Sequence, residues 1–332
     1  MESNILGIDI AKDKFDVALI SSKLSEKPQK EKIKFAAFEN NTRGFKLLLK
    51  WISDNDADDL HACMEATGGY SEALGTYLHE CGYKVSIVNP SQICNYAKSE
   101  LSRNKTDKTD AAIIARFCRA NRPHEWKPLD EDGRKLKSLT KRMGELEKML
   151  QQEKTRLKAP GLDPEVKESI IEIIDKFKSE IEAIRKKIRE HVKSCEYLRK
   201  NVELLDSIPG IGEKTAFVIL GLVGEITRFS DVNQFCAWTG VVASKRESGK
   251  SVRGKPRMSR KGNAAIRKAM FMPALVAMEH NPVLKKFKDV LKTRNKNGMT
   301  IVVAVMHKLL RMVYGVLKNQ KPFDPESYPH YA

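Results

Sequence analysis

Asp107 and Asp110 lie one helical turn apart in the stretch Asn104 to Asp110, where an apolar-periodic segment begins. Residues three apart share a helix face. Two carboxylates on one face repel each other unless a cation sits between them, and a divalent ion with oxygen ligands meets that need. The plain alternative is a solvated helix start, where Asp is favoured by capping and by the helix dipole. Two further acids favour the metal. Asp9 sits inside an apolar run from Asn4 to Ile10 that reads as a strand, and a charge in a buried strand requires a compensating partner. The run from Leu60 ends in Glu65, and Gly68 and Gly69 then allow a tight turn into a helix from Tyr70. Strand ends are where such sheets gather functional groups. Asp9, Glu65, Asp107 and Asp110 therefore form a candidate four-carboxylate metal site. Asp13, in the turn after the first strand, and Asp16, on the alternate face of the second, are left outside it.

The elements that must hold these acids follow from the hydrophobic pattern. Apolar runs at 4–10, 15–20, 32–38, 60–65 and 84–88 predict strands, and segments at 44–53, 71–81, 91–99 and 108–120 predict helices. Three strands in series, then strands alternating with helices, resemble the ribonuclease H-like order. Residues 1–125 are accordingly expected to form an α/β domain. From about Arg134 the composition turns charged and helical. Leu136, Leu139, Met143, Leu146, Leu150 and Leu157 fall at three- and four-residue spacing, as do Ile170, Ile174, Phe177, Ile181, Ile184 and Ile188. The break from Ala159 to Pro164 carries two prolines, which oppose helix continuation. Residues 126–200 thus read as an antiparallel coiled-coil hairpin, whose stripes suit pairing within one chain or between two.

Residues 201–332 read as a mainly α-helical domain, with helices at 197–206, 214–223, 263–280, 283–294 and 300–317. Between the first two lies Ser207-Ile-Pro-Gly-Ile-Gly-Glu-Lys-Thr215. Glycines in a short turn before a helix aim backbone N–H groups outward, so Gly210, Gly212 and Lys214 are expected to hold DNA backbone as a helix-hairpin-helix element. The alternative is an ordinary helix connection. Between Val241 and Met270 there are ten Lys or Arg residues, namely Lys245, Arg246, Lys250, Arg253, Lys255, Arg257, Arg260, Lys261, Arg267 and Lys268, against one acid, Glu247. Gly249, Gly254 and Gly262 let backbone approach a ligand, which favours phosphate tracking over a merely solvated loop. Ser244, Ser248, Ser251 and Ser259 stand among these cations, either as phosphate hydrogen-bond donors or as a nucleophile whose attack on phosphorus the cations stabilise. The segment from Ser244 to Ser251 imitates an NTPase phosphate loop but lacks its first glycine, which argues against ATP hydrolysis.

The bulk properties agree with a polyanionic partner. The 332 residues suffice for two domains, and a 41% hydrophobic content supplies a core. A formal charge of +17 points first to nucleic acid. No run of eighteen apolar residues and no basic-then-apolar leader occurs, so no membrane is expected and the location is read as cytoplasmic. The six cysteines are scattered, as suits reduced thiols in cores, and the seven histidines offer neither zinc spacing nor a catalytic dyad.

Taken together, Gly7-Ile-Asp9, Glu65-Ala-Thr-Gly-Gly69, Lys105-Thr-Asp-Lys-Thr-Asp-Ala111, Ile208-Pro-Gly-Ile-Gly212 and Arg257-Met-Ser-Arg-Lys-Gly-Asn263 resemble the bacterial insertion-sequence transposases of the DEDD class, related to the Piv-type DNA invertases. The resemblance spans nearly the whole chain. It implies a RuvC-like domain joined by a coiled coil to a C-terminal transposase domain, with Asp9, Glu65, Asp107 and Asp110 binding Mg²⁺, or Mn²⁺ in its place. It also implies a serine nucleophile in the Ser-Gly segment after the tryptophan-containing strand or loop, here Ser248-Gly249. The family commonly has a second glycine next; this chain has Lys250, so Ser244, Ser251 and Ser259 remain in play. Donor and target DNA, a structured bridge RNA as guide, and homodimers assembling into a tetramer are the implied partners. A metal-only RuvC-like nuclease using water is the alternative within the same chemistry, and a non-enzymatic nucleic-acid scaffold is the alternative outside it.

Overall fold

The structure, a computed structural model, describes residues 4–21, 33–100, 107–244, 247–248, 252–253, 257–259 and 262–328; for 243, 244, 247, 248, 252, 253 and 257 it describes the backbone. The chain divides into two compact units, residues 1–128 and 129–332.

The first unit is a five-stranded mixed sheet flanked by helices. Its strands are β1 (Asn4–Ile10), β2 (Lys14–Ile20), β3 (Ile33–Glu39), β4 (Leu60–Glu65) and β5 (Lys84–Val88), in the order β3-β2-β1-β4-β5. The first three pair antiparallel, and β4 and β5 run parallel to β1. The helices are α1 (Thr42–Ser53), α2 (Gly69–Glu80), α3 (Pro90–Ser99) and α4 (Asp107–Asn121). All nine elements begin and end within two residues of the positions expected from the hydrophobic pattern. Alternation divides the central strands between two cores. Leu6, Ile8 and Ile10 of β1, with Phe15, Val17 and Leu19 of β2, pack against Phe45 and Leu48 of α1 and Leu74 and Leu78 of α2. Ile5 of β1, Ala18 and Ile20 of β2, and Cys63 of β4 pack instead against Ala111 to Ala115, Phe117 and Cys118 of α4.

Gly7 sets how closely α4 lies on the sheet. A Cβ there would stand 2.1 Å from the Ala111 carbonyl oxygen and 2.4 Å from the Ala115 nitrogen, so only a residue without a side chain admits the helix backbone. The far end of α4 is tied down by a buried polar chain. Ser86 Oγ on β5 donates to the His124 carbonyl at 2.7 Å and meets His61 Nε2 on β4 at 2.8 Å, while Cys118 Sγ lies 3.6 Å from His61 Nδ1. Gly7→Ala is therefore expected to lower stability by about 2–3 kcal/mol, the upper part of the range for overpacking, because backbone rather than a flexible side chain must yield. Urea denaturation reads this out; an unchanged midpoint would show that α4 withdraws without cost.

The second unit is helical. Its hairpin, α5 (Glu131–Arg156) and α6 (Pro164–Ser194), buries Leu136, Met143 and Leu146 with Ile181 and Ile188, so the two apolar stripes pair within one chain. Asp163 caps α6 through the Glu165 N–H, and Pro164 occupies its first turn. There follow α7 (Glu196–Asp206), α8 (Glu213–Val223), α9 (Val232–Thr239), α10 (Ala264–His280), α11 (Pro282–Thr293) and α12 (Gly298–Asn319). By length and composition α12 would cross a membrane, but Val305, Met306, Leu309, Leu310 and Val313 are buried in the unit's main core, which makes it a core helix. The cysteines only partly meet expectation: Cys63, Cys118 and Cys236 are buried, whereas Cys81, at the end of α2, and Cys94, midway along α3, are exposed.

Candidate metal centre and nucleic-acid interface

Asp9 points to the α4 side of the sheet, two residues beyond Gly7, toward the first turn of α4. Its carboxyl is pushed up to about 6 from a usual 3.8, first by burial and then by the charges of Asp110, Asp107, Glu65 and Asp16. The four predicted acids thus share one neighbourhood. β1 and β4 supply Asp9 and Glu65 one step past the Ile8–Met64 pairing of these parallel strands. The first turn of α4 supplies Asp107 and Asp110.

Asp16 belongs to the same neighbourhood, which corrects the expectation that it faces away. In the β1–β2 ladder Asp9 is directly opposite Asp16, and opposed residues of an antiparallel pair present their side chains on the same face. Alternation does separate Asp16 from Phe15 and Val17, but the face it joins is the one that carries Asp9. A second residue missed in the sequence is Lys14, which shares that face. Its ammonium lies 2.7 Å from Asp107 Oδ2 and 3.2 Å from Asp16 Oδ2. Lys14 holds the Asp107 carboxyl below its usual range. The signal was available: a hairpin closing at Ile10 and Phe15 must set Asp9 against Asp16.

The donors suit a hard divalent ion, since carboxylate oxygens are the ligands Mg²⁺ and Mn²⁺ favour. The raised Asp9 carboxyl is the mark of negative charge that lacks full compensation. Among the described residues, no three acidic, His or Cys side chains converge closely enough to hold an ion as they stand, and it is the Lys14 ammonium that lies among the carboxylates.

In the second unit the basic segment is built as paired ribbons rather than as a plain loop. β6 (Ala243–Ser244) pairs with β9 (Arg257–Met258), and β7 (Glu247–Ser248) pairs with β8 (Val252–Arg253), so the backbone of Ser248 stands opposite Val252. The base is tightly closed. Ser259 N–H donates to the Val242 carbonyl at 2.8 Å, Asn263 N–H donates to the Trp238 carbonyl at 2.9 Å, and a Cβ on Gly262 would stand 2.2 Å from the Gly240 nitrogen. Trp238 itself lies on α9, a helix, and not on the strand or loop expected before the serine. Lys245, Arg246, Gly249, Lys250, Ser251, Gly254, Lys255, Arg260 and Lys261 lie outside the described residues. Further cations surround the ribbon base: Arg267, one of the ten basic residues of the segment, donates from Nη1 to the Thr239 carbonyl, Arg311 Nη1 donates to Asn233 Oδ1, and Arg228 stacks 5.0 Å from the Trp238 ring centroid. His307 Nδ1 meets the Val241 carbonyl at 2.8 Å, and burial holds that imidazole below its usual pKa.

The turn between α7 and α8 is where the sequence places it. Gly210 has φ +107°, and a Cβ on it would stand 2.6 Å from the Ala277 Cβ of α10, so packing alone demands glycine there. Gly212 opens onto free space. Lys214 pairs with Glu147 of α5 at 2.6 Å, and Glu213 takes a two-pronged bond from Arg189.

Comparison with known proteins matches residues 6–160 to a model of DEDD transposases and residues 202–289 to one described as transposase IS116/IS110/IS902 family. The pilin gene-inverting proteins of Moraxella lacunata and Moraxella bovis are each 32% identical over 98% of this chain and 98% of their own. The transposase for insertion sequence element IS1111A of Coxiella burnetii is 25% identical over 96% of this chain and 91% of its own.

Proposed function

The chain belongs to the IS116/IS110/IS902 family of transposases, and on that footing we propose that it moves or inverts a DNA segment by metal-dependent strand exchange through a serine nucleophile. Transposition and DNA inversion, the activities named for its relatives, both require phosphodiester bonds to be broken and remade. The observation that carries the proposal is the crowding of Asp9 by Asp110, Asp107 and Glu65 at one end of the sheet. The sheet order, antiparallel through β1 and parallel beyond it, supports a ribonuclease H-like, RuvC-like domain.

Asp9, Glu65, Asp107 and Asp110 would hold Mg²⁺, with Mn²⁺ able to replace it. A bound ion supplies positive charge for the phosphoryl oxygens and for the oxygen that leaves. Ser248 is the proposed nucleophile. Its hydroxyl oxygen bonds to phosphorus, the bond to the departing deoxyribose oxygen breaks, and the hydroxyl proton is passed to that oxygen. The phosphoserine ester retains the bond energy, so strands rejoin without ATP. Arg253, Arg257 and the other basic residues of the ribbons, with the Gly210–Lys214 turn, clamp phosphate backbone. Base pairing with a structured bridge RNA then supplies sequence specificity. The working assembly is a homodimer that becomes a tetramer on donor and target DNA in the bacterial cytoplasm.

The test is recombination of a plasmid carrying the element's two ends, with purified full-length protein and RNA transcribed from the element's noncoding end. Recombinant junctions are expected with Mg²⁺ and not with a chelator. Junctions formed equally in both conditions would exclude the metal, and junctions formed without the RNA would exclude the guide.

A further inference from the structure

We propose that Lys14 is a tethered counter-ion of the carboxylate cluster, an ammonium that holds Asp107 and Asp16 until a divalent ion displaces it. The inference rests on the metal reading of Asp9, Glu65, Asp107 and Asp110. Lys14 opens β2 two residues before Asp16, so both side chains lie on the α4 face. From there its Nζ reaches Asp16 Oδ2 at 3.2 Å and Asp107 Oδ2 at 2.7 Å, joining the start of β2 to the first residue of α4.

The cluster is left short of positive charge as a result. Lys14 divides its single charge between Asp107 and Asp16, and Asp16 stands directly opposite Asp9 in the β1–β2 ladder, so three carboxyl groups are gathered around one ammonium. One ammonium thus spans an exposed acid, Asp107, and a buried one, Asp16, and a single charge cannot offset the cluster. An ammonium also cannot serve as the ion does: it is a single charge that donates hydrogen bonds near 2.8 Å, whereas Mg²⁺ draws oxygens to about 2.1 Å and carries two charges. When an ion takes Asp107, Lys14 is left bearing the same sign of charge close to it and must withdraw. Lys14 thereby competes with the ion and keeps α4 in place before the ion arrives.

The experiment measures Mn²⁺ binding to the full-length protein by electron paramagnetic resonance of the free ion. Removing the competing charge in Lys14→Met is expected to tighten the Kd by about three- to tenfold, the scale for one unit charge a few ångströms away at a wet site. Lys14→Gln serves if the methionine variant folds poorly. In the wild type, a pulse of an amine-acetylating reagent is expected to modify Lys14 several times faster once Mn²⁺ saturates the site. An unchanged or weaker Kd in both variants, or Lys14 acetylation indifferent to Mn²⁺, would overturn the competition. Asp9→Asn separates the two ideas: it should remove Mn²⁺ binding whatever stands at Lys14, and if it does not, the metal reading itself falls.

Discussion

Asp9→Asn is expected to abolish strand exchange, by about a thousandfold or more, yet to leave a folded protein that is more stable than the wild type in metal-free buffer. The activity loss is the scale for removing an electrostatic support of a charged transition state. The stability gain follows from the carboxyl's position above its usual range. A group at about 6 when folded and 3.8 when unfolded disfavours the native state wherever it is ionised in both. Full conversion of that difference would give about 3 kcal/mol; for a half-buried, partly screened group about 1–2 kcal/mol is the realistic gain. The sign can be checked against pH. As pH falls from about 6 toward 3.8 the folded protein takes up the Asp9 proton before the unfolded chain does, so the wild type gains stability that the variant cannot. The variant's advantage should thus be complete at pH 7–8 and gone near pH 4. Urea denaturation with a chelator measures both limits. Saturating Mn²⁺ should reverse the order, because the wild type alone gains binding free energy. A variant less stable than wild type at pH 8 without metal would show that Asp9 is already compensated in the native state.

Much of this centre is legible in the sequence because its parts are local. An acid inside an apolar strand, an acid at a strand's end before two glycines, and two acids one turn apart can each be recognised within ten residues. The parts that escaped depend on pairing across the chain. Asp16 joins Asp9 through strand register, and Lys14 reaches Asp107 across 93 residues of sequence. Gly7 and Gly210 read as motif glycines, but what makes each necessary is a distant helix backbone, at Ala111 to Ala115 in one case and Ala277 in the other. The strand or loop around Trp238 is implied by the family resemblance alone; the Asp231 cap, which accepts from Asn233 and Gln234 N–H, and Gly240 in the left-handed region make that segment a helix instead. The two-residue strands around Ser248 are too short for an alternation signal.

Ser248→Ala is expected to eliminate a covalent protein–DNA adduct completely, while Ser244→Ala, Ser251→Ala and Ser259→Ala retain it. Among the candidates, Ser259 is bonded through its backbone N–H to Val242 at the closed base of the ribbons, whereas Ser248 ends β7 in the ribbon beyond that base. A nucleophile must meet phosphorus in line with the departing oxygen, and a residue on the outlying ribbon can be brought to a DNA backbone more readily than one at the anchored base. Gly249 follows it in the chain, and Lys245, Arg246 and Lys250 flank it with positive charge suited to a phosphoryl transition state. A nicked or mismatched substrate should trap the intermediate; the adduct should withstand denaturant and, after proteolysis, place the added nucleotide mass on the peptide containing Ser248. Modification found instead on Ser251 or Ser259 would move the nucleophile and shift the alignment of this segment by the corresponding number of residues. Metal-dependent cleavage with no adduct at any serine would make water the nucleophile, leaving the serines and the cations around them to hold phosphate.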